Sequence, residues 1–399
     1  MKRLSLIFLS RNSHAAGIPA AVSLFQDPLP AAVLSRYNRF VLYAELPGGK
    51  SVRCHCPNPG SLLELCIPGS PVLLQHSTAP GRKTAYSAVA AFRRGRVIPL
   101  DSTRTNSLFR NLLLPTLFPG AAAVKTEPVF RRNRLDFSFF WNGRPHAVEV
   151  KTCTLVESET AMFPDAPSKR ALHHLNLLAE LKQEGIIPHL FFLVMNPEAE
   201  RLIPNIHTDP EFSEALDHYA GQINLHAAVF SCSHAGDAVL SKKSIPVLTE
   251  PASLIRQNRG VYLVILELPE GITVEVGKLG VLNFDKGFYI YTGSAMGTLK
   301  SRTARHLRRG RKRIRWHIDY LTTLPVKRKV FPIYTAEDIE CKLAASAGAA
   351  LWPDQKLIPG FGSSDCRCRS HLLYSKSNPL LNSAFADMIL AYRHAGKFQ

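Results

Sequence analysis

The sequence is short of acid. It carries 31 Asp and Glu against 49 Lys and Arg, a net charge of +18 over 399 residues. An imbalance of that size points to a polyanionic partner, nucleic acid before any other. No run of residues is apolar for long enough to cross a bilayer as a helix, so a helical membrane protein is excluded. The opening MKRLSLIFLS has a basic start, but Arg11 stops its apolar run at the lower limit for a signal segment, leaving an N-terminal extension over 1–30. Cysteine is sparse at eight, several of them in C-x-C pairs, which excludes a secreted disulfide framework and fits reduced thiols in cytoplasm. No internal repeat or low-complexity segment is evident. The length exceeds what one core normally supports, so the chain is multidomain.

What is present centres on Arg134 to Lys151, RLDFSFFWNGRPHAVEVK. Two strand-like runs flank Asn142-Gly143, the φ > 0 pair of a two-residue type I′ turn, so the stretch predicts a β-hairpin. Pairing outward from Trp141 opposite Arg144 sets Asp136 across from Glu149, and the period of two puts Lys151 on the face of Glu149. The other face reads Leu135, Phe137, Phe139, Val148 and Val150. Opposed side chains stand about 4.5–5.5 Å apart at Cβ, where two acids repel unless something positive lies between them. Two carboxylates suit Mg²⁺ or Mn²⁺, with the lysine orienting water or offsetting phosphate charge. The alternative is a half-exposed hairpin with scattered charges.

Upstream, FVLYAEL, PVLLQH and AYSAVAAF alternate with Gly/Pro turns and predict a small OB-like β-barrel over 31–102. Inside it, the loop HCPNPGSLLEL offers Asn58 and Ser61 either as turn and cap residues or as phosphate contacts, while Cys54 and Cys56 read as structural thiols. DSTRTNSLFRNLLLPTLFPG predicts a helix ended by proline and glycine. After the hairpin come a helix capped by Ser168, with Leu172, Leu175, Leu178 and Leu181 inward and Gly185 at its end, a buried strand IPHLFFLVM, a second helix and a further strand. That succession predicts an α/β domain over 103–250, with the hairpin on one edge of a mixed sheet. A proline-containing linker over 251–258 precedes the last part, 259–399.

Charge is uneven along the chain. Residues 1–250 carry 26 Lys and Arg against 20 acids, and residues 251–399 carry 23 against 11. From Lys300 to Arg315 there are nine basic residues and no acid: Lys300, Arg302, Arg305, Arg308, Arg309, Arg311, Lys312, Arg313 and Arg315. So dense a run predicts phosphate contacts, a solvated basic face being the alternative. Arg302 and His306 are four apart on one helix face and can converge on one phosphate. Cys341, Cys366, Cys368 and His371 would supply four soft ligands to zinc, although the C-x-C-x2-H spacing is unusual for such a site and a Gly/Ser turn held by Asp365 is the other reading.

Taken together, HCPNPGS, NRLDF, VEVKTCTL, FPDAPSKRALHHL and KKSIPV make residues 30–250 resemble the sugar fermentation stimulation protein A (SfsA) family. The resemblance implies an OB-like domain followed by a PD-(D/E)xK nuclease-like domain, with Asp136, Glu149 and Lys151 as its signature and Asp165, Arg170 and His174 lining the same cleft. Members tend to have an acid in the first helix, and Asn111 stands at about that place here. Residues 258–399 resemble an α+β domain of unknown function related to GIY-YIG endonucleases, with Gly260-Val261-Tyr262 and Tyr291-Thr292-Gly293 as the two tripeptides. That resemblance implies Tyr262, Tyr291 or His306 in proton transfer, Arg302 on the scissile phosphate and Glu340 on a metal ion. The expectation is a metal-dependent nuclease acting on DNA or RNA, the alternative a DNA-binding transcriptional regulator that uses its nuclease-like folds for binding only.

Overall fold

In the computed structural model, residues 18–77, 81–310 and 312–394 are described. The first part of the expected extension and Arg311 lie outside them. Five strands form the barrel: Leu29–Asn38, Val41–Glu45, Ser51–His55, Pro71–His76 and Tyr86–Arg93. Neighbours are antiparallel, and closure comes from a parallel pairing of Cys54 and His55 with Tyr86 and Ser87. Alternate residues fill the interior, among them Val33, Leu42, Leu74, Cys54 and Cys56, so these two thiols are core residues.

The strand Arg96–Pro99 carries the barrel sheet into the central domain, where it meets Asn224–Cys232 at a single antiparallel pair, Cys232 opposite Val97. Beyond it stand Ile187–Val194, Arg144–Cys153, Phe137–Trp141 and Ala122–Thr126. Asn224–Cys232, Ile187–Val194 and Arg144–Cys153 are parallel and lie between two separate apolar clusters. Burial on both faces is why Ile187–Val194 reads as a continuous apolar run. The hairpin has the expected register, from Trp141 opposite Arg144 to Phe137 opposite Val148, with Asn142 and Gly143 both at positive φ. It is not the edge: Ala122–Thr126 pairs outside it. Leu135 also departs from expectation, because the strand begins only at Phe137; Leu135 packs under the helix Lys169–Gln183, away from Phe137, Phe139, Val148 and Val150.

Residues Thr105 to Leu117 are helical, with a π turn over Phe109–Leu113. Helix Lys169–Gln183 is capped by the Ser168 hydroxyl, which accepts from Ala171 N–H at 3.1 Å, and Gly185 at φ 82° ends it. The expected linker is instead structured. Strand Asp237–Ile245 is followed by the turn Glu250–Ala252 and the helix Ser253–Gln257, whose Ile255 is buried in the C-terminal core.

That last part is an antiparallel five-stranded sheet in the order Lys327–Tyr334, Arg259–Leu268, Gly287–Met296, Leu372–Ser375, Gln355–Leu357. Helices Leu299–Leu307 and His317–Thr322 cover one face, Glu340–Ala350 and Ser383–His394 the other. Among the described residues no helix is long and apolar enough to cross a membrane.

Helix Ser383–His394 also docks on the central domain. His207 accepts from Tyr334 N–H at Nδ1 (3.0 Å) and donates from Nε2 to the Arg393 carbonyl (2.7 Å), so one neutral tautomer serves both backbones. Burial, then the nearby Arg393 charge, push its pKa down to about 3. The folded state therefore refuses a proton that the unfolded chain takes near pH 6.5, and this part of the stability is present above that pH and lost as pH falls toward 3. Between pH 6 and 4 the parent chain should lose stability faster than His207→Gln, by up to about 1.4 kcal/mol per pH unit, in urea unfolding followed at each pH. Parallel pH profiles for the two proteins would remove His207 as the cause.

Candidate active sites and nucleic-acid interface

The first site grows out of the hairpin. Glu149 is buried on the strand Arg144–Cys153, and Lys151, two residues on, returns to the same face and pairs with its Oε1. His174, one turn into the capped helix, donates from Nδ1 to the same oxygen. Burial alone would raise the Glu149 carboxyl; Lys151 and the His174 hydrogen bond outweigh it and hold the pKa below the usual range. Asp136 accepts from Val150 N–H (2.7 Å) and from the Asn106 amide (2.8 Å), yet its pKa is raised, first by burial and then by the Glu149 charge. The other Glu149 oxygen, Oε2, is buried without a hydrogen-bond partner. A buried, charged, unpartnered oxygen beside a second carboxylate is an arrangement a divalent cation completes, so these residues fit Mg²⁺ or Mn²⁺.

Several expected residues stand elsewhere. Asn111, in the π turn, is exposed, and Asn106, a turn and a half earlier, is the helix residue that reaches Asp136. Sequence spacing missed it because the helix start, not its middle, faces the carboxylates. Asp165 leaves the cleft: partly buried, it accepts from Leu62 N–H at 2.7 Å and ties the barrel loop to the central domain. Arg170 is exposed on the helix, and His174 is committed to Glu149 rather than open to nucleic acid. Asn58 is buried, its Oδ1 accepting from Gly60 N–H (2.9 Å), so the turn reading holds for it, whereas Ser61 is exposed.

Beside this site runs a groove of about 860 Å³ that the sequence did not announce. Arg53, Arg82, Lys83 and Arg104 line it together with Phe40 and His55. Those charges come from separate strands and loops, so no run of sequence displays them. Arg104 leads directly into Thr105, whose hydroxyl is 2.7 Å from that of Thr152, and into Asn106.

The second site lies on the C-terminal sheet. Tyr262 and Tyr291 come from the paired central strands Arg259–Leu268 and Gly287–Met296, and Tyr262 passes so close over Gly293 that a Cβ there would fall 2.5 Å from its hydroxyl oxygen. Tyr262 Oη is 3.1 Å from His306 Nε2. Burial pushes the Tyr262 pKa up to about 12, and burial, then the Lys312 charge, push His306 down to about 4, so both are neutral at physiological pH. Arg302 stacks on Trp316, its Cζ 3.8 Å from the ring centre, which aims the guanidinium into a cavity of about 390 Å³ shared with Tyr262, Tyr291, Ser294 and Glu340. Both Glu340 oxygens have protein partners: Oε1 the Nδ1 of His371 (2.9 Å), Oε2 the Ser294 hydroxyl. Neither Ser294 nor His371 was marked by the sequence for this place.

The basic run divides in two. Arg305 and Lys312 turn inward onto the fully buried Asp319, at 2.8 and 3.7 Å, so Arg305 is structural rather than a phosphate contact. Lys300, Arg308, Arg309, Arg313 and Arg315 are exposed.

Comparison with known proteins matches residues 34–100 to the SfsA N-terminal OB domain, 103–236 to the sugar fermentation stimulation protein RE domain and 261–394 to domain of unknown function DUF123. The sugar fermentation stimulation protein homolog of Natranaerobius thermophilus is 37% identical over 188 residues, 45% of this chain and 78% of that protein; the Clostridium beijerinckii homolog is 29% identical over 225 residues, 56% and 99%. The solved structure of Pyrococcus furiosus SfsA in complex with Ca²⁺ aligns at a TM-score of 0.52 and 26% identity, covering 57% of this chain and all of that one. An OB barrel joined to this α/β domain defines a nucleic-acid-binding, nuclease-like protein. Within that class, the chain belongs to the sugar fermentation stimulation protein family, and it carries a GIY-YIG-like DUF123 domain at its C-terminal end.

Proposed function

We propose that this protein is a metal-dependent phosphodiesterase acting on DNA or RNA, with Asp136, Glu149 and Lys151 as its first active site. The observation that carries this reading is Glu149, whose buried Oε2 is unpartnered beside Asp136 while Lys151 and His174 hold Oε1. Asp136 and Glu149 would hold the cation, which when bound supplies Lewis-acid activation of the phosphodiester. Lys151 offsets phosphate charge at the same point, His174 fixes the Glu149 rotamer, and Asn106 does the same for Asp136. Pyrococcus furiosus SfsA is described in complex with Ca²⁺, a hard cation that takes carboxylate oxygens such as those of Asp136 and Glu149. The groove lined by Arg53, Arg82, Lys83 and Arg104 gives a strand a cationic path to it. Cleavage of single- and double-stranded DNA and RNA, with Mg²⁺, Mn²⁺ or chelator, tests the reading. Metal-dependent product is expected with at least one substrate, and none with any substrate would rule it out.

A second reading, a DNA-binding transcriptional regulator that uses its nuclease-like folds for binding only, is favoured by the first helix: Asn111 stands at about the place where the family resemblance leads to an acid, and the helix residue that reaches Asp136, Asn106, is likewise an amide. The same assay separates the two, since tight binding with intact substrate is the regulator's result.

In the C-terminal domain, Arg308, Arg309 and Arg313 carry affinity and Arg302 carries turnover. Replacing the first three by Ala should lower the magnitude of the log–log salt slope by up to about 2.7 on duplex DNA, at about 0.9 for each phosphate left without its arginine. Binding measured at several salt concentrations decides this, and an unchanged slope would make the loop a solvated face. Arg302→Ala should reduce turnover at saturating substrate more than affinity, because a guanidinium held on the scissile phosphate acts chiefly on the transition state.

A further inference from the structure

Four soft ligands that lie apart in sequence converge at the far side of the second site. Cys341 opens the helix Glu340–Ala350, Cys366 and Cys368 lie on the loop between strands Gln355–Leu357 and Leu372–Ser375, and His371 stands just before the latter strand. Their ligand atoms all lie within 4.8 Å of one another. Cys366 Sγ is 3.5 Å and Cys341 Sγ 3.8 Å from His371 Nε2. A tetrahedron with zinc-thiolate and zinc-imidazole bonds of about 2.3 and 2.0–2.1 Å has S···N edges of roughly 3.5 Å and S···S edges of roughly 3.8 Å. The two S···N distances lie within about 0.3 Å of that edge, and the four ligand atoms are close enough together for one ion to gather them. The single Nε2 lone pair of His371 cannot accept from both Cys341 and Cys366, whereas one cation placed between them would satisfy all three atoms.

Two further observations agree. The second nitrogen of His371 is bonded to Glu340 Oε1 at 2.9 Å, which turns the Nε2 lone pair toward the sulfurs, the carboxylate–histidine pairing that zinc ligands use. The ring cannot wander, because its backbone is held on both sides, His371 N–H to the Phe361 carbonyl (2.8 Å) and Thr292 N–H to the His371 carbonyl (2.9 Å). Three thiolates around a dication leave one negative charge, and the exposed Arg367 and Arg369 flank Cys368 to offset it.

We propose that Cys341, Cys366, Cys368 and His371 hold a structural Zn²⁺ that staples the loop before Leu372–Ser375 to the start of the helix Glu340–Ala350. With four protein ligands the site is closed, so its role is to hold structure. Through His371 it also sets the position of Glu340, a consequence that rests on reading the second site as catalytic. Nothing else in the proposal does.

The test is made on the full chain purified without chelator. Elemental analysis should find one zinc per chain, and Co²⁺ exchanged into the site should give the intense near-ultraviolet thiolate charge-transfer band and the visible bands of tetrahedral coordination. Cys341→Ser and Cys368→Ser should each lose the metal on mild chelator washing, while Cys232→Ser, in the central domain, keeps it. Glu340→Gln should retain zinc but release it to a competing chelator about 10–100-fold more readily, whatever happens to nuclease activity. Zinc-free parent chain whose thiols react freely under native conditions, a disulfide between Cys366 and Cys368, or stoichiometric iron in place of zinc would each overturn the proposal. Because the parent chain is itself measured, poor folding of a variant leaves the answer intact.

Discussion

Glu149→Gln is expected to lower metal-dependent cleavage by about a thousandfold or more, since Lewis-acid stabilisation is worth several kcal/mol and about 4 kcal/mol corresponds to that factor. The substitution keeps the side chain's shape and can still accept from His174, but it removes the charge that the unpartnered Oε2 presents beside Asp136. Affinity for nucleic acid should stay within about twofold, because binding comes mainly from Lys and Arg on phosphates and those lie in the groove and the C-terminal loop. Turnover with titrated Mg²⁺ or Mn²⁺ and equilibrium binding in chelator are the two measurements. A thermal melt of the variant separates loss of chemistry from loss of fold, since Lys151 also loses its partner. Cleavage at the parent rate would remove the first site as catalyst and direct attention to Tyr262, Arg302 and Glu340.

Asp319→Ala should destabilise the chain by about 3–5 kcal/mol, the range for removing one member of a buried ion pair. Asp319 is fully buried and serves four groups: Arg305 at 2.8 Å, Lys312 at 3.7 Å, and the backbone N–H of Arg315 (2.9 Å) and Trp316 (3.2 Å). Without it, the Lys312 ammonium, almost wholly buried, has no counter-charge, and the N-terminal end of the helix His317–Thr322 loses its cap. Burial brings the Lys312 pKa down to about 8 even with the Asp319 charge opposing the shift. Asp319→Asn, which keeps an acceptor and drops the charge, should fall between the two. Urea unfolding at one pH measures all three proteins; a loss under about 1 kcal/mol for Asp319→Ala would mean that the cluster behaves as an exposed one. The Trp316 platform for Arg302 hangs on the same carboxylate, so turnover should fall in Asp319→Ala even at temperatures where the chain stays folded.

The hairpin was legible because its determinants are local. Asn142-Gly143 dictates the turn, the turn dictates the register, and the register carries Asp136 to Glu149 over only fourteen residues. Ser168 and Gly185 marked the ends of a helix for the same reason, each acting within one turn of itself. The barrel strands and the apolar strand Ile187–Val194 were legible through their periods, which follow from how many faces a strand buries.

Other features depend on which segments meet. Asn106 was missed because which turn of this helix faces the carboxylates is decided by packing, where the ring of Phe109 lies 4.8 and 4.9 Å from those of Phe137 and Phe191. Asp165 lies near the first site in sequence and motif, yet its carboxylate belongs to the barrel loop. The linker became a helix once Ile255 found the C-terminal core. The basic run looked uniform, but an acid outside it, Asp319, draws Arg305 and Lys312 inward. By itself, then, the sequence determined the turn, register and periods, the carboxylate pair of the first site and the sign of the protein's charge, since each is set by interactions within a few residues. Only the tertiary structure decided that Glu149 keeps an unpartnered oxygen, that scattered arginines line one groove, and that four ligands spread over thirty residues converge, because burial and long-range proximity are properties of packed elements and not of any one segment.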